Sequence, residues 1–331
     1  MSITIKDVAK EAGVSVATVS RVLNGSCNVS DESTKKVNET IARLNYSPNF
    51  LGRNLRKCET NVILVIMPTS EHSLYSKIVM GMQEYAGKVG YDIITAVSYS
   101  TSTAETRQMN MLFNRTVDGV ILLGTQYDAA SLNKLAENYN VALCCEGVKG
   151  ANVLTVAVDD EQAAFDAVAA LIKKGHKRIG FIGTNSAAIS STARENGYIR
   201  ALKEYGIEIK NEYIYKESYD YDCGGRAFEY FNALDEKPTA IFAVSDLLAI
   251  SAMHKAIDMD IDVGKDVAIM GFDNISMCEW IIPTLSTVEQ PCSKMGELVV
   301  AKLIENMNKT TKDNHYYTVD HRIILRESTG D

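Results

Sequence analysis

The stretch from Ser15 to Asn24 holds one arginine, Arg21, among small and hydroxylated residues. An arginine side chain can donate two parallel hydrogen bonds to a guanine edge or to a phosphate, and small neighbouring side chains let a helix backbone come close to a DNA groove. These residue types therefore favour recognition of nucleic acid through non-covalent contacts.

Two short helices are predicted to present this stretch, and the first begins at Thr4. Thr4 and Asp7 have the capping-box spacing that starts a helix, and Gly13 can adopt the left-handed conformation that ends one. An apolar stripe at i, i+3, i+4 and i+7 lies between them and consists of Ile5, Val8, Ala9 and Ala12.

The second helix follows the glycine turn. Ser15 can cap it, and Val19 and Leu23 would then face the first helix. The residues left pointing outward near its N-terminal half are Val16, Ala17, Ser20 and Arg21. Two helices joined in this way form a helix-turn-helix. An ordinary surface helical hairpin with a solvated arginine is the alternative that these spacings leave open.

A third helix favours the helix-turn-helix, because three helices can enclose a small core. Ser30 is a cap followed by two acidic residues, and Val37, Ile41 and Leu44 then recur at helical spacing. Pro48 ends this unit, and a basic, weakly helical run follows at residues 49–57.

These N-terminal motifs resemble the headpiece of LacI/GalR-family repressors. The likeness is carried by residues 5–9 (IKDVA), 13–15 (GVS), 18–24 (TVSRVLN) and 46–49 (YSPN), and it continues through the chain. The resemblance implies a headpiece (residues 1–48) that binds a palindromic operator as a homodimer. It also implies a hinge helix (residues 49–60) that wedges a leucine into the minor groove, and an effector-binding and dimerisation domain (residues 61–331).

The resemblance further implies which residues contact DNA. Leu55 stands at the wedge position, and Gly52 replaces the family's usual alanine. We expect the hinge to be less helical without DNA, because glycine costs about 1 kcal/mol relative to alanine in a helix. The expected DNA-binding residues are Thr4, Ser15, Val16, Ala17, Thr18, Ser20, Arg21, Asn24, Asn28, Tyr46, Asn49 and Leu55.

Charge is distributed unevenly along the 331 residues. The net charge is −8, but residues 1–60 carry nine Lys and Arg against six Asp and Glu, whereas the remainder carries 25 against 36. A basic headpiece on an acidic body directs one end toward phosphates.

The seven cysteines form no Cys-x-x-Cys pair, and neither a signal region nor an apolar run of membrane length is present. We therefore expect a cytoplasmic protein with buried thiols.

From residue 61 the sequence alternates apolar runs with helical stretches. The first series of runs is residues 62–67, 92–97, 120–123 and 141–145, and the second is residues 153–158, 178–182, 240–244 and 267–272. Helical stretches of the second series are residues 161–174, 193–205, 224–234 and 246–258. Continuous Val, Ile and Leu runs are typical of parallel strands covered on both faces. The predicted fold class is α/β, an all-α helix-turn-helix headpiece plus two doubly wound parallel-sheet subdomains of the periplasmic-binding-protein type.

Ligands of such sheets bind beyond the carboxyl ends of the strands. The loops there are rich in hydroxyls and carboxylates with aromatic rings nearby, which suits a sugar, although most of these residues taken singly could be caps and turns. The family resemblance assigns Arg194, Tyr219 and Asp273 to the effector. The remaining expected effector residues are Tyr75, Ser76, Glu146 and Asp246. The alternative is that Arg194 and Asp273 simply pair with each other.

Within the family the likeness is to regulators of carbon catabolism in Gram-positive bacteria, through residues 160–168 (DEQAAFDAV), 237–242 (KPTAIF) and 321–323 (HRI). This implies no cofactor and a sugar or sugar-phosphate effector, for example glucose 6-phosphate or fructose 1,6-bisphosphate. It also implies a protein partner, serine-phosphorylated HPr. Ala301 and Glu305 replace basic residues of the helix that meets the phosphoserine, whereas Arg322 and Arg326 keep some positive charge for that partner. We therefore expect weak binding of the phosphocarrier and control mainly by a small molecule.

Two other classes of protein are disfavoured. The chain has no G-x-G-x-x-G, G-x-x-x-x-G-K-[ST] or G-x-S-x-G motif, and its five histidines lack metal-ligand spacing, so neither an enzyme nor a metal site is expected. A periplasmic sugar-binding protein would share the two-lobed body but not residues 1–57. The alternative among regulators is an operon-specific, sugar-responsive repressor with no global role.

Overall fold

The computed structural model of the protein describes residues 3–23, 29–46, 59–185, 188–309 and 312–330. The chain divides into two compact units, Met1–Thr60 and Asn61–Asp331.

The first unit contains three helices around a small apolar core. The helices are α1 (Ile5–Ala12), α2 (Val16–Leu23) and α3 (Asp31–Leu44). The core consists of Val8, Ala9, Val19 and Val37, which are buried. Each helix thus contributes the apolar positions that its sequence periodicity predicted.

The helix ends of this unit also follow the sequence prediction. The Asp7 carboxylate accepts hydrogen bonds from the Thr4 amide at 2.8 Å and from the Thr4 hydroxyl at 2.7 Å. Gly13 ends α1 with a φ of 68°, in the left-handed region that favours glycine. The Ser15 hydroxyl accepts from the Thr18 amide at 3.1 Å and so caps α2. These caps fix the turn between α1 and α2.

The second unit consists of two α/β lobes, and the first lobe is built on a six-stranded parallel sheet. Its strands are β1 (Val62–Met67), β2 (Asp92–Val97), β3 (Gly119–Leu122), β4 (Val141–Cys144), β5 (Leu154–Ala157) and β11 (Tyr316–Thr318), in the order β11-β5-β4-β3-β1-β2. Its helices are α4 (Ser73–Lys88), α5 (Ser102–Phe113), α6 (Ala129–Asn138) and α11 (Cys292–Met307).

The second lobe has a six-stranded sheet with one antiparallel edge strand. Its strands are β6 (Ile179–Thr184), β7 (Ile214–Glu217), β8 (Ala240–Ala243), β9 (Ala268–Asp273), β10 (Ser286–Glu289) and β12 (Arg322–Ile324), in the order β12-β10-β9-β8-β6-β7. The pairing of β12 with β10 is the antiparallel one. Its helices are α7 (Asp160–Lys173), α8 (Ile189–Glu204), α9 (Tyr221–Asn232) and α10 (Asp246–Asp258), and short 3₁₀ turns occur at Asn211–Tyr213, Ser276–Glu279 and Glu327–Thr329.

Burial on both faces explains the continuous apolar strands. Along β1, Ile63 and Val65 belong to one core cluster, whereas Leu64 and Ile66 belong to another on the opposite face of the sheet. Helices α4 and α11 cover one face and approach closely, since a Cβ added to Gly296 would lie 2.2 Å from the Ile78 carbonyl oxygen. Such contact requires glycine.

One sequence expectation about the lobes is wrong. Residues 153–158 do not begin the second half, because β5 pairs in parallel with β4 and β11 in the first sheet. The chain consequently crosses between the lobes three times, after β5, after β10 and after β11. The spacing of apolar runs along the chain does not encode which sheet a strand joins, because that choice is made by tertiary packing.

No helix in the described part of the chain is long and apolar enough to cross a membrane.

Candidate functional site

Helix α2 presents an outward face of small side chains and one arginine. Val16, Ala17 and Arg21 are exposed, Thr18 and Ser20 are half-buried, and Val19 is buried against the other two helices. The Ser15 hydroxyl is shared between the cap and a 2.9 Å hydrogen bond with the Thr18 hydroxyl. A protruding helix with this face fits a DNA major groove, where its N-terminal residues would meet base edges.

The other expected DNA contacts surround this helix or fall outside the described residues. Thr4 is exposed at the start of α1, and Tyr46 packs partly against the three-helix core. The residues that lie outside the described ranges are Asn24, Asn28, Asn49, Gly52 and Leu55.

In the second unit, Arg194 of α8 is the centre of a polar cluster where the two lobes meet. Its Nε donates to Asp160 Oδ1 at 2.8 Å, and its Nη1 donates to the Val244 carbonyl oxygen at 2.7 Å and lies 3.5 Å from Asp273 Oδ1. Its guanidinium also covers the Phe272 ring at 3.6 Å. Arg194 and Asp273 therefore do lie together, and Asp160 is the closer carboxylate.

Asp273 stands at the end of β9 in a strained conformation, with a φ of 116°. Non-glycine residues rarely adopt such angles, and backbone strain of this kind concentrates at functional sites. Gln290 Nε2 donates to Asp273 Oδ1 at 2.8 Å, and His72 of the first lobe brings its Nε2 within 3.6 Å of Oδ2. The same His72 nitrogen lies 3.1 Å from the Tyr219 hydroxyl.

The tautomer of His72 follows from its other nitrogen. Nδ1 accepts a hydrogen bond from the Leu74 amide at 3.3 Å, so the neutral imidazole carries its proton on Nε2. His72 thus points a donor from the first lobe at Asp273 and Tyr219 of the second. Lys77 adds a second contact between the lobes, because its Nζ donates to the Asn274 carbonyl oxygen at 2.7 Å.

Glu146 is the first lobe's carboxylate in this cleft. It follows Cys145, which has a φ of 73°, directly after β4. Glu146 Oε1 accepts a hydrogen bond from the Ser190 amide of α8 at 2.8 Å, which makes it another link across the cleft. A cavity of about 430 Å³ opens beside it, lined by Glu146, Gly147, Val148, Lys149, Gly150, Ala151, Val158, Asp159, Asp160, Glu161, Ile189, Ser190, Ala193, Tyr316 and Thr318.

Asp246 requires a correction, because its side chain has no exposed surface from which to touch an effector. Its Oδ2 accepts from the Ile275 amide at 2.8 Å and its Oδ1 accepts from the Thr287 hydroxyl at 2.5 Å. Burial, followed by the charge of Asp273, raises the pKa of Asp246 to about 7. Asp246 supports the loop that carries Asp273.

The tyrosines and Ser76 differ in their surroundings. The Tyr75 ring packs at 5.5 Å from the His72 ring, and Tyr219 is 43% exposed beside the same histidine. Burial of its hydroxyl, followed by the charge of Asp273, raises the pKa of Tyr219 to about 12. Ser76 is exposed on α4 and has no hydrogen bond to the described residues of this cluster.

Burial and ion pairing oppose each other at the centre of the cleft. Burial disfavours the charged form of Arg194, but Asp160 and then Asp273 outweigh it and raise the pKa of the guanidinium. For Asp160 burial is the larger effect, and the pKa of its carboxyl is raised although Arg194 acts to lower it. The cluster is therefore stabilised by pairing inside a poorly solvated site.

Sequence reasoning missed three residues of this cleft, namely His72, Asp160 and Gln290. Asp160 lies just beyond the carboxyl end of β5, a strand that the sequence predicted, so the rule for loops after strands applies to it as well. His72 was considered only for metal-ligand spacing. Among the described residues no group of three or more His, Cys, Asp and Glu could hold a metal ion.

The residues expected to meet a phosphorylated partner lie on elements of different lobes. Arg322 and Arg326 belong to the second lobe, whereas α11, which carries Ala301 and Glu305, packs on the first. Arg322 pairs with Glu289, and the Arg326 guanidinium is held by the Leu285 carbonyl at 2.7 Å. Its side chain is only 13% exposed, because further bonds reach Asn274 and Glu279. The use of Arg326 for a partner protein stays a prediction, and it would require the guanidinium to exchange contacts that it already makes.

Glu305 is also less repulsive than its charge suggests. Its carboxylate lies 3.0 Å from Lys302 Nζ and 3.5 Å from Lys309 Nζ. These two lysines offset the glutamate on the surface of α11.

A helix-turn-helix unit joined to a two-lobed α/β unit with a polar cleft defines a ligand-controlled DNA-binding regulator. Comparison with known proteins gives the family. Residues 4–49 match the model for bacterial regulatory proteins of the lacI family, and residues 168–329 match that for a periplasmic binding protein-like domain. The chain is 38% identical to the catabolite control protein A of Priestia megaterium over 99% of its own length and 100% of that protein's. The chain belongs to the lacI family and is a transcription regulator, not an enzyme.

Two solved structures agree with this assignment. The transcriptional regulator CelR in complex with cellobiose is 27% identical, with a TM-score of 0.74 over 98% of this chain and 99% of that one. The lac repressor dimer bound to operator and the anti-inducer ONPF is 23% identical, with a TM-score of 0.89 over 99% of each chain. The latter likeness confirms the predicted fold class.

Proposed function

We propose that the protein is a homodimeric repressor of carbon-catabolism genes. In this proposal helix α2 of each protomer reads one half of a palindromic operator. Residues 1–48 act as the headpiece, residues 49–60 as the hinge with Leu55 as the wedge, and residues 61–331 as the body that binds an effector and dimerises. The likeness to catabolite control protein A supports the choice of carbon catabolism.

The observation that carries this proposal is the outward face of α2. Arg21 is exposed and stands one helical turn beyond Ala17, with Val16 exposed beside them. The guanidinium can reach guanine or phosphate, while the small side chains allow a close approach and apolar contact with thymine methyl groups.

Exposed apolar residues of the second lobe support the dimer. Trp280 is 75% exposed and Ile282 is 87% exposed, with Met277 also exposed on the same loop. Large aromatic residues at the centre of an interface supply much of its binding energy. We assign this loop to the contact between protomers.

We propose that the effector is a sugar-like molecule with several hydroxyl groups, bound in the cleft. Carboxylates at Glu146 and Asp273, and the rings of Tyr219 and Tyr316, match the hydroxyls and the apolar faces of such a ligand. The cellobiose bound to the relative CelR supports this class. A sugar phosphate such as glucose 6-phosphate or fructose 1,6-bisphosphate is the alternative, and Lys149 is the lysine on the cavity wall that could meet its phosphate.

An operon-specific repressor is the second candidate function. It is favoured by helix α11, where Ala301 and Glu305 stand in place of basic residues and Lys302 is already engaged by Glu305. A weakened phosphocarrier site would remove the global signal. Genome-wide mapping of bound sites distinguishes the two, because a global regulator occupies many sugar and fermentation genes and a local one occupies a single operon.

The test of DNA reading is the Arg21→Ala variant. Loss of one base contact costs about 1–3 kcal/mol per half-site and counts twice in a dimer, so operator affinity should fall by roughly 30-fold or more. Gel shifts at fixed salt, with operator and with an unrelated duplex, measure it. Arg43→Ala is the matched control, because this substitution removes the same charge from the same unit. Arg43 pairs with Glu11 at 2.9 Å. Equal operator affinity for wild type and Arg21→Ala removes Arg21 from base reading.

A further inference from the structure

The cavity beside Glu146 is lined by both lobes, and most of its charged residues are acidic. The first lobe contributes the loop at residues 146–151 and two residues of β11, and the second lobe contributes the first turns of α7 and α8. Its volume of about 430 Å³ is in the range of small-ligand sites. A molecule bound here would touch both lobes at once.

The lining of this cavity is strongly acidic. Its carboxylates are Glu146, Asp159, Asp160 and Glu161, and Lys149 is its one lysine among the described residues. Glu161 is neutralised from outside by Arg200, whose Nη1 lies 2.6 Å from Glu161 Oε1. Asp160 is paired with Arg194 at 2.8 Å. Glu146 and Asp159 are therefore the carboxylates of the lining that no described cation pairs with, and Lys149 is the one cation beside them.

Arg194 neutralises Asp160 but neither Glu146 nor Asp159, because its guanidinium is directed inward. It bonds to Asp160 and to the Val244 carbonyl, lies against Asp273, and is covered by the Phe272 ring. With two carboxylates sharing one buried cation, the cluster keeps a negative charge behind the cavity wall.

Glu146 is a carboxylate of the lining that has no ion pair among the described residues. Its described hydrogen bond comes from the neutral Ser190 amide, and no ion pair joins it to a cation among the described residues. A ligand that fills the cavity displaces water from Glu146, and an unpaired charge out of water is costly. A positive group on the ligand compensates this charge more fully than a hydroxyl does, because a charge-assisted hydrogen bond between two ions is the stronger one.

A tyrosine ring stands on the same wall and reports the same potential. Tyr316 is about half exposed, and a Cβ added to Gly147 would lie 2.7 Å from its ring. Burial, followed by the charges of Asp160, Asp159 and Glu146, raises the pKa of the Tyr316 hydroxyl. The open face of this ring can accept a cation or stack on a sugar ring.

We propose that this cavity binds a protonated, amine-bearing polyol, an amino sugar or an aminocyclitol, with the ammonium group against Glu146 and the ring of Tyr316. The inference rests on the proposed function, since it takes the cleft as the effector site. A phosphate dianion is repelled by Glu146 and Asp159. A neutral sugar leaves the Glu146 charge uncompensated.

Matched ligands test the charge preference directly. We would measure binding of glucosamine, glucose and glucose 6-phosphate to the full-length protein by calorimetry and by the shift in melting temperature. The corresponding aminated, unmodified and phosphorylated cyclitols form a second set. An ammonium–carboxylate bond should make the amine bind about 10- to 100-fold more tightly than the neutral ring. Tighter binding of a phosphate or of a neutral ring, or no binding of any amine, would overturn the proposal.

The Glu146→Gln variant separates charge from shape. Glutamine keeps an oxygen for the Ser190 amide, so the preference for the amine over the neutral ring should fall about tenfold or more. Glu137→Gln, at an exposed position on α6, is the control with the same change of net charge. An unchanged amine preference in Glu146→Gln contradicts the assignment.

Operator binding, measured separately, distinguishes this inference from the proposed function. If an amine binds without changing operator affinity, the effector role of the cleft fails and the charge preference stands. If phosphates alone bind and change operator affinity, the effector role stands and the charge preference fails.

Discussion

Replacing Arg194 with alanine should destabilise the second unit strongly, because this side chain holds two buried carboxylates. The Arg194 side chain is 11% exposed, with Asp160 and Asp273 at 10% and 3%. Removing one member of a buried pair leaves an uncompensated charge and costs about 3–5 kcal/mol. The Val244 carbonyl also loses its 2.7 Å bond, which adds about 1 kcal/mol or more. We expect a total loss near 5 kcal/mol.

This loss is large enough to measure by thermal unfolding. Roughly 2–4 °C per kcal/mol is typical of units of this size, so the melting temperature should fall by about 10–20 °C. Arg200→Ala is the matched control on the same helix, since Arg200 is 34% exposed and its pair with Glu161 lies near the surface. Its loss should stay within about 1 kcal/mol.

The deficit of Arg194→Ala should also depend on pH, with a definite sign. Burial already raises the pKa of Asp160 above 3.8, and loss of Arg194, which lowers it, raises it further. A carboxyl whose folded pKa exceeds the unfolded value destabilises the protein increasingly as pH rises through that window. The deficit should therefore be largest near neutral pH and shrink toward pH 4, and adding Asp160→Asn should recover part of it. A variant as stable as wild type at neutral pH would refute the structural role of Arg194 and leave it free for an effector.

Three further predictions follow from separate parts of the body. Burial raises the pKa of Asp246 from 3.8 to about 7. The free energy of unfolding should therefore fall as the pH rises from about 4 to about 7, by up to about 1.4 kcal/mol per pH unit. Asp246→Asn should remove that slope in denaturant titrations. Trp280→Ser should weaken dimerisation at least about tenfold in sedimentation velocity, whereas Tyr205→Ser, at an exposed aromatic residue outside the loop, should not. Equal dimerisation of the wild type and both variants contradicts the assigned interface. Serine-phosphorylated HPr should raise operator affinity less than about threefold, because a phosphate at α11 meets lysines already paired with Glu305; a tenfold gain that disappears in Lys302→Ala would restore the partner site.

Local signals made the first unit readable from sequence. The capping box at Thr4 and Asp7, the glycine at position 13 and the cap at Ser15 act within a few residues, so their geometry does not depend on distant parts of the chain. Most apolar strands of the body were equally clear, since burial on both faces favours continuous runs of apolar residues. Each of the eight runs corresponds to a strand with bounds shifted by at most two residues.

Features that depend on residues distant along the chain could not be predicted from the sequence. Strands β7 and β10 are short and carry lysine, glutamate, serine or threonine. The buried hydroxyls of Ser286 and Thr287 have partners 40 or more positions away, at Arg326, Thr329 and Asp246. Strands β11 and β12 complete the two sheets at their edges, where pairing partners come from earlier in the chain.

The three segments that cross between the lobes carry or flank residues of the polar cluster in the cleft. The first crossing delivers Asp160 to Arg194, and the second delivers Gln290 to Asp273. The third is anchored on α7, where His321 Nε2 lies 3.0 Å from Asp166 Oδ2. The segments that join the lobes are thus the segments that form or flank the polar cluster.

Three contacts across the cleft hold the lobes together. They join His72 with Asp273, Lys77 with the Asn274 carbonyl, and Glu146 with the Ser190 amide. A ligand can shift the lobe arrangement only by the difference in its interaction with two states. A molecule that pairs with Glu146 in the cavity competes with the contact from the Ser190 amide and bridges the lobes in its place. Its effect on DNA binding is then determined by which lobe arrangement that bridge fits, which is why the charge of the ligand at Glu146 matters to regulation as well as to affinity.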